Sequence, residues 1–159
     1  MLDIGCYAVS SARFVMGKEP KQVLCMVQTD PEFKTDILVS GILDFGEGQR
    51  STFTVGTQLF SMQRFDAYGT GGSLSIEVPF NMYGDVSGHI LVANDVGRRV
   101  VETEIVDQYL LQFDAFAQAL LEGREVPTPI SEAIHNMAVL DALNIATKTG
   151  TWCPVDNTY

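Results

Sequence analysis

The sequence predicts an α+β fold, an open, mostly antiparallel sheet of six or more strands with helices on one face. Three observations lead there. Helical spacing of apolar residues is confined to the two ends of the chain, the long middle alternates with period two, and turn signals cut that middle into strand-length pieces. Hairpin-length links favour antiparallel pairing, and helices segregated from strands favour α+β over an alternating arrangement.

The first element is a helix over Ile4–Met16, where Ile4, Ala8, Val9, Ala12, Val15 and Met16 recur at helical spacing before Gly17 and Pro20 stop it. Strands are then expected at QVLCMVQ (22–28), DILVSGILDF (36–45), STFTVGTQLF (51–60), RFDAYG (64–69), SLSIEV (73–78), GHILVA (88–93) and RRVVETEI (98–105). Asp30-Pro31, Gly46-Glu47-Gly48 and Gly69-Thr70-Gly71-Gly72 mark turns between them. A second helix, YLLQFDAFAQALLEG, carries a stripe of Leu110, Phe113, Ala117, Leu120 and Leu121 before Gly123. The third has Ser131 as candidate N-cap, Ile134, Met137, Ala138, Leu140, Ala142 and Ile145 expected inward, and Gly150 just past its end.

At 159 residues with 46% hydrophobic content, the chain is expected to form one domain with a core that needs no staples. Twenty acidic against ten basic residues give a formal charge of -10, which repels phosphate backbones and anionic headgroups, so neither nucleic acid nor a membrane is an expected partner. No apolar run approaches the length of a membrane-spanning helix, and no export signal can be read at the front. Cys6, Cys25 and Cys153, odd in number and scattered, read as free thiols in a reducing compartment. The expected location is the cytoplasm.

In DILVSGILDF one alternating set is Ile37, Val39, Gly41, Leu43 and Phe45, while the opposite set still holds Leu38 and Ile42. A sheet covered by its helices on one side would leave that second set wet. The open face is therefore expected to pack on a second copy, as a homodimer or a higher homo-oligomer, or on a second domain. Scattered surface apolar residues are the plainer alternative.

Most candidate chemistry reduces to structure. YGTGGSLSIEV lacks the third glycine of G-x-G-x-x-G and leads from strand to strand, so a plain β-turn is the preferred reading over a phosphate loop. His89 and His135 are the only histidines and no metal-ligand spacing exists, so no metal site is expected. Cys6 reads as a small buried hydrophobe, and neither G-x-S-x-G nor a cysteine-protease signature occurs. Asp3 and Tyr7 remain, four residues apart at the start of the first helix and so on one face. Asp3 can be a helix N-cap or an anion that orients a substrate hydroxyl; Tyr7 offers a phenol to the same hydroxyl. A phenol acts as a base at neutral pH only beside a cation, and no lysine in this chain is an evident one.

LDIGCYAVSSARFVMGKEPKQV, with its D-x-G-x-Y helix, resembles the start of the C-terminal domain of the Gfo/Idh/MocA family, the glucose-fructose oxidoreductase and inositol dehydrogenase group. FDAYGTGGSLSIEVPFN is similar to that family's strand, G-T-x-G and strand-Pro-Phe segment, and DQYLLQFDAFAQALLEGREVPTPISEAIHNMAVLDALNIATKTG to its closing helical pair. The resemblance runs in order over most of the chain. It implies that residues 1–159 form the substrate-binding and oligomerisation domain of an NAD(P)-dependent dehydrogenase acting on a sugar, polyol or diol hydroxyl. In that family a lysine from a Glu-Lys-Pro motif in a front Rossmann domain joins the Asp and the Tyr or His of the helix around the reacting carbon. Carried over, Asp3 and Tyr7 are this chain's share of the catalytic set, and Tyr109 and the GTGG turn are candidates for lining the pocket. Tyr at position 7 resembles the glucose-fructose oxidoreductase, xylose dehydrogenase and dihydrodiol dehydrogenase branches.

The sequence departs from the family's pattern in showing no nucleotide-binding strand, no G-x-G-x-x-G and no Glu-Lys-Pro, and Asp107 stands where Asn is common. The nucleotide-binding domain is thus absent from these residues, and NAD or NADP is expected to bind the parent enzyme but not this chain alone. The competing reading is a non-catalytic protein-interaction or carbohydrate-binding module with the same fold. With Asp3 so close to the first residue, a frayed first turn is expected.

Overall fold

The computed structural model describes residues 1–156 and 158. Its elements run α1 (Gly5–Met16), β1 (Gln22–Thr29), β2 (Asp36–Gly46), β3 (Gln49–Gly56), β4 (Phe65–Gly69), β5 (Gly72–Ile76), β6 (His89–Asn94), β7 (Gly97–Glu102), α2 (Gln108–Glu122), α3 (Ile130–Thr149) and β8 (Cys153–Pro154). The fold is α+β, and its sheets are open and antiparallel. The eight strands divide between two four-stranded sheets, β3-β2-β1-β8 and β4-β5-β6-β7, where the sequence reading gathered them into one. The division falls at residues 57–64, a link too long for a tight hairpin and therefore free to start a new sheet. The chain correspondingly splits into two compact units, residues 1–59 with 128–159, and residues 60–127.

In the first unit, α1 stops at Gly17, whose left-handed φ of 62° lets its N–H reach Arg13 O at 2.9 Å. Asp30 turns β1 into β2 by accepting from the N–H groups of Glu32 and Phe33. In β2 the buried residues Val39, Gly41, Leu43 and Phe45 alternate with half-buried ones, as period two requires. Val23 and Cys25 of β1 lie opposite Leu43 and Gly41 and complete this inner face. It packs under α3, whose Val139, Leu140, Ala142, Leu143 and Ala146 join one core with Val9 and Ala12 of α1. At Gly41 the chain approaches the Phe53 ring so closely that a Cβ would stand 2.5 Å from it, and any side chain there would have to displace that ring. Leu24, Met26, Leu38 and Ile42 fall on the opposite face by the same alternation, and α1 and α3 do not cover them.

Helix α3 corrects part of the inward set. Leu140 and Ala142 are buried, but Ile134, Met137 and Ile145 are 42%, 43% and 50% exposed, and Val139, Leu143 and Ala146 take the inner places. Polar and apolar residues are mixed around the helix, so its periodicity does not select a face. Its N-cap is Pro129 and not Ser131.

In the second unit, β4 to β7 form an antiparallel meander, and α2 follows. Asp107 caps α2 with Oδ1, which accepts from the N–H groups of Tyr109 and Leu110 at 2.9 and 3.2 Å. The GTGG cluster is a strand-to-strand turn, pairing Gly69 with Gly72. Gly72 has φ 157°, and a Cβ on it would sit 2.3 Å from Ala93 O, so the neighbouring strand's backbone excludes any side chain. The stripe of α2 lies open, with Leu110, Phe113, Leu120 and Leu121 between 60% and 87% exposed. Only Ala119 of this helix is buried.

Candidate active site

The D-x-G-x-Y stretch is placed where α1 begins. Leu2–Ile4 form a turn, and the helix starts at Gly5, one residue later than the sequence spacing suggests. Asp3 is not the cap: the N-cap position is Ile4, with no side-chain cap hydrogen bond. The Asp3 carboxylate is exposed, while its backbone O accepts from Cys6 Sγ at 3.6 Å and Ile4 O accepts from Tyr7 N at 3.2 Å. These contacts join the turn of Leu2–Ile4 to the start of the helix. Tyr7 is 50% exposed. Asp3 thus lies in the turn before α1 and Tyr7 in the helix's first turn, a carboxylate that can only accept and a phenol that can donate or accept.

A polar key holds this helix against α3. Arg13, 5% exposed, donates from Nε and Nη2 to the two carboxylate oxygens of Glu19 at 2.6 and 2.7 Å, a fork-to-fork pairing. Its Nη1 donates to Glu132 O at 3.2 Å, and Nη2 also reaches Glu132 Oε2 at 3.1 Å, so one guanidinium ties α1 to the loop after it and to α3. The Glu19 hydrogen bond, ahead of the attraction of both carboxylates, raises the guanidinium pKa above its ordinary value. His135 Nδ1 stands 3.8 Å from Glu19 Oε1. Asn136 Nδ2 donates to Cys6 O at 3.3 Å, fixing the turn of α1 that carries Tyr7. Sequence spacing does not reveal this key, because Arg13 and Glu132 are 119 residues apart.

Tyr109 belongs to the second unit. It opens α2, is 56% exposed, and its hydroxyl lies 3.4 Å from Asn81 Oδ1. A shallow depression of about 270 Å³ on α3 is lined by Ala133, Ile134, Met137, Ala138 and Asp141. Asp141 is its one carboxylate, a residue the sequence reading passed over. The glycine cluster joins two strands and feeds no helix N-terminus, so this turn is not the phosphate-binding turn of a dinucleotide fold. Among the described residues no three His, Cys, Asp or Glu side chains are grouped to hold a metal ion, and no helix is long and apolar enough to cross a membrane. The three cysteines are free thiols, with Cys25 and Cys153 buried.

Residues 1–75 match the GFO/IDH/MocA C-terminal domain family. The match to that domain family covers just under half of the chain. An uncharacterized oxidoreductase of Rhizobium meliloti is 32% identical over 157 residues, covering 96% of this chain and 47% of that protein. D-xylose 1-dehydrogenase (NADP(+)) 2 of Haloferax volcanii is 28% identical over 157 residues, covering 98% of this chain and 48% of that protein. The chain thus spans about half the length of these relatives. The fold is also that of the aldose-aldose oxidoreductase of Caulobacter crescentus, at a TM-score of 0.81 and 20% identity over 96% of this chain and 46% of that one. The 3-ketoreductase KijD10 of Actinomadura kijaniata superposes at a TM-score of 0.83, with 19% identity over 91% of this chain and 46% of that one.

Proposed function

We propose that this chain is a GFO/IDH/MocA C-terminal domain, the substrate-binding and oligomerisation part of an NAD(P)-dependent dehydrogenase that acts on a sugar, polyol or diol hydroxyl. The observation that carries this is the exposed carboxylate of Asp3 in the turn before α1 and the half-exposed phenol of Tyr7 in its first turn, inside the segment that matches the family. The xylose dehydrogenase relative, a sugar oxidoreductase that uses NADP, supports the substrate class.

In this reading Asp3 accepts a hydrogen bond from a substrate hydroxyl and fixes its direction. Tyr7 contacts the hydroxyl at the reacting carbon and helps to take its proton, a role that requires a cation beside the phenol. Arg13 does not fill that role, because its charge is already matched by Glu19 and Glu132. The cation and the dinucleotide are supplied by residues outside these 159, and the redox cycle is not run by this chain alone. Tyr109, half-exposed in the second unit with its hydroxyl beside Asn81 Oδ1, offers a phenol to a sugar hydroxyl there. Leu24, Met26, Leu38 and Ile42 on the open face of β1 and β2 pack against a second copy.

The reading is tested by titrating the chain with D-xylose and with xylitol while following the backbone amide resonances of residues 3–7. Saturable shifts confined to that turn, lost in Asp3→Asn and Tyr7→Phe, are expected. NADPH added to the same sample leaves the spectrum unchanged; stoichiometric NADPH binding, or sugar-induced shifts that survive both substitutions, would defeat the division of labour.

A further inference from the structure

The second sheet ends on a strand whose free edge is complementary to itself. β7 is the outer strand of β4-β5-β6-β7, and all six of its residues are exposed. Thr103 N donates to Gly88 O at 2.9 Å just beyond the ladder, in register with the pairing of His89 to Glu102. Since hydrogen-bonded and non-hydrogen-bonded pairs alternate along an antiparallel ladder, Gly97, Arg99 and Val101 turn their backbone groups toward β6. Arg98, Val100 and Glu102 turn theirs away, toward the open edge.

The charges follow the same alternation. Arg98, Val100 and Glu102 share one face, with a base at one end, an acid at the other and an apolar residue between. Four residues along a strand separate Arg98 from Glu102 by roughly 13 Å, so the two cannot pair within one chain. Among the described residues Arg98 enters no salt bridge, and Glu102, 69% exposed, has only His89 at 3.9 Å. An antiparallel copy of β7 centred on Val100 sets Arg98 opposite Glu102 of the second copy, Glu102 opposite its Arg98, and Val100 opposite its Val100. These are the positions whose N–H and C=O groups face outward, so register, hydrogen bonding and charge agree. A parallel copy would set like against like.

The other long edges lack this pattern. β3 carries one charged residue, Arg50, and in β4 the one carboxylate, Asp66, is already held by Arg64 Nε at 2.8 and 3.1 Å. Charges on an edge strand ordinarily discourage pairing. Here they discourage every pairing except the two-fold one.

We propose that β7 is a self-association edge, which joins two copies of this chain by antiparallel β7–β7 pairing across a two-fold axis at Val100. The paired strip is small, so the dimer is weak and concentration-dependent. The proposal does not depend on the open face of the first unit. Sedimentation is therefore run in a Met26→Lys background, which places a charge on that other face.

At roughly 100 μM, a concentration that populates a weak complex, the Met26→Lys chain is expected to be largely dimeric. Val100→Pro deletes an outward N–H without touching the β6 ladder and is expected to leave monomer with an unchanged far-ultraviolet spectrum. Arg98→Glu, which places like charges opposite each other twice across the axis, weakens the dimer about tenfold, and adding Glu102→Arg restores it. A monomeric Met26→Lys chain, a dimer that survives Val100→Pro, or a charge reversal that does not rescue would each overturn the assignment.

Discussion

The two units of this chain are built from similar parts and have unlike interiors. Each has a four-stranded antiparallel sheet and a long helix that ends on a left-handed glycine, Gly123 or Gly150. In residues 1–59 with 128–159, one face of the sheet is sealed by helices, and Phe45, Leu43, Leu143, Val9, Val23, Val39 and Val139 lie fully buried. In residues 60–127 only Gly88 and Ala119 are buried, and the helix shows its widest apolar stripe to solvent. The difference lies in contacts between elements rather than in local propensity. The first unit holds a complete core of its own, while the second has the secondary structure of a core without enough apolar contact to close one.

The sharpest way to break that contrast is to truncate the same residue type in both units. Phe45→Ala empties a fully buried site and is expected to cost about 3–5 kcal/mol in chemical denaturation. Phe113→Ala removes a ring that is 70% exposed and is expected to shift stability by less than about 0.5 kcal/mol. Equal losses would show that the stripe of α2 is covered in solution, and the contrast would then hold only for the isolated chain.

A smaller effect is expected from the key between α1 and α3. Arg13→Met replaces the buried guanidinium with an apolar side chain of similar length and leaves Glu19 and Glu132 facing each other without their shared cation. Because Glu132 is half exposed, water relieves part of the penalty, and a loss of about 2 kcal/mol is expected. Adding Glu19→Gln to that variant is expected to recover part of the loss. A double-mutant cycle with no coupling would show that Arg13 acts through packing alone.

How much of this was legible in the sequence follows the range of the interaction. Element order was legible, since period two and period 3.6 are local; the helical spacing that singled out Asp3 with Tyr7 stops short of Asp3, which lies in the turn before α1. The inner face of β2 was legible too, because Val39, Leu43 and Phe45 alternate with weaker neighbours. The inner face of α3 was not: Ile134 and Leu140 look alike to a pattern, and only the packed sheet separates them. β8 is two residues long and carries no period, and its pairing with Gln22 and Val23 spans almost the whole chain. The partition into two sheets and the Arg13 key likewise depend on contacts between distant residues.

The mildest test uses pH, and again it separates the units, because all three cysteines lie in the first. Burial pushes the Cys25 thiol from 9.0 up to about 11, since the interior penalises the thiolate more than solvent does. A group whose folded pKa is raised keeps its full contribution below the unfolded pKa and loses it as pH climbs through the folded one. Between pH 9 and pH 11 the unfolded chain gives up this proton while the folded chain keeps it, so the first unit becomes less stable as pH rises across that window. Denaturation followed at Trp152, which lies in the same unit, is expected to show that decline. Cys25→Ala is expected to flatten it relative to the parent, and an unchanged slope in the variant would mean that the alkaline loss arises from other groups.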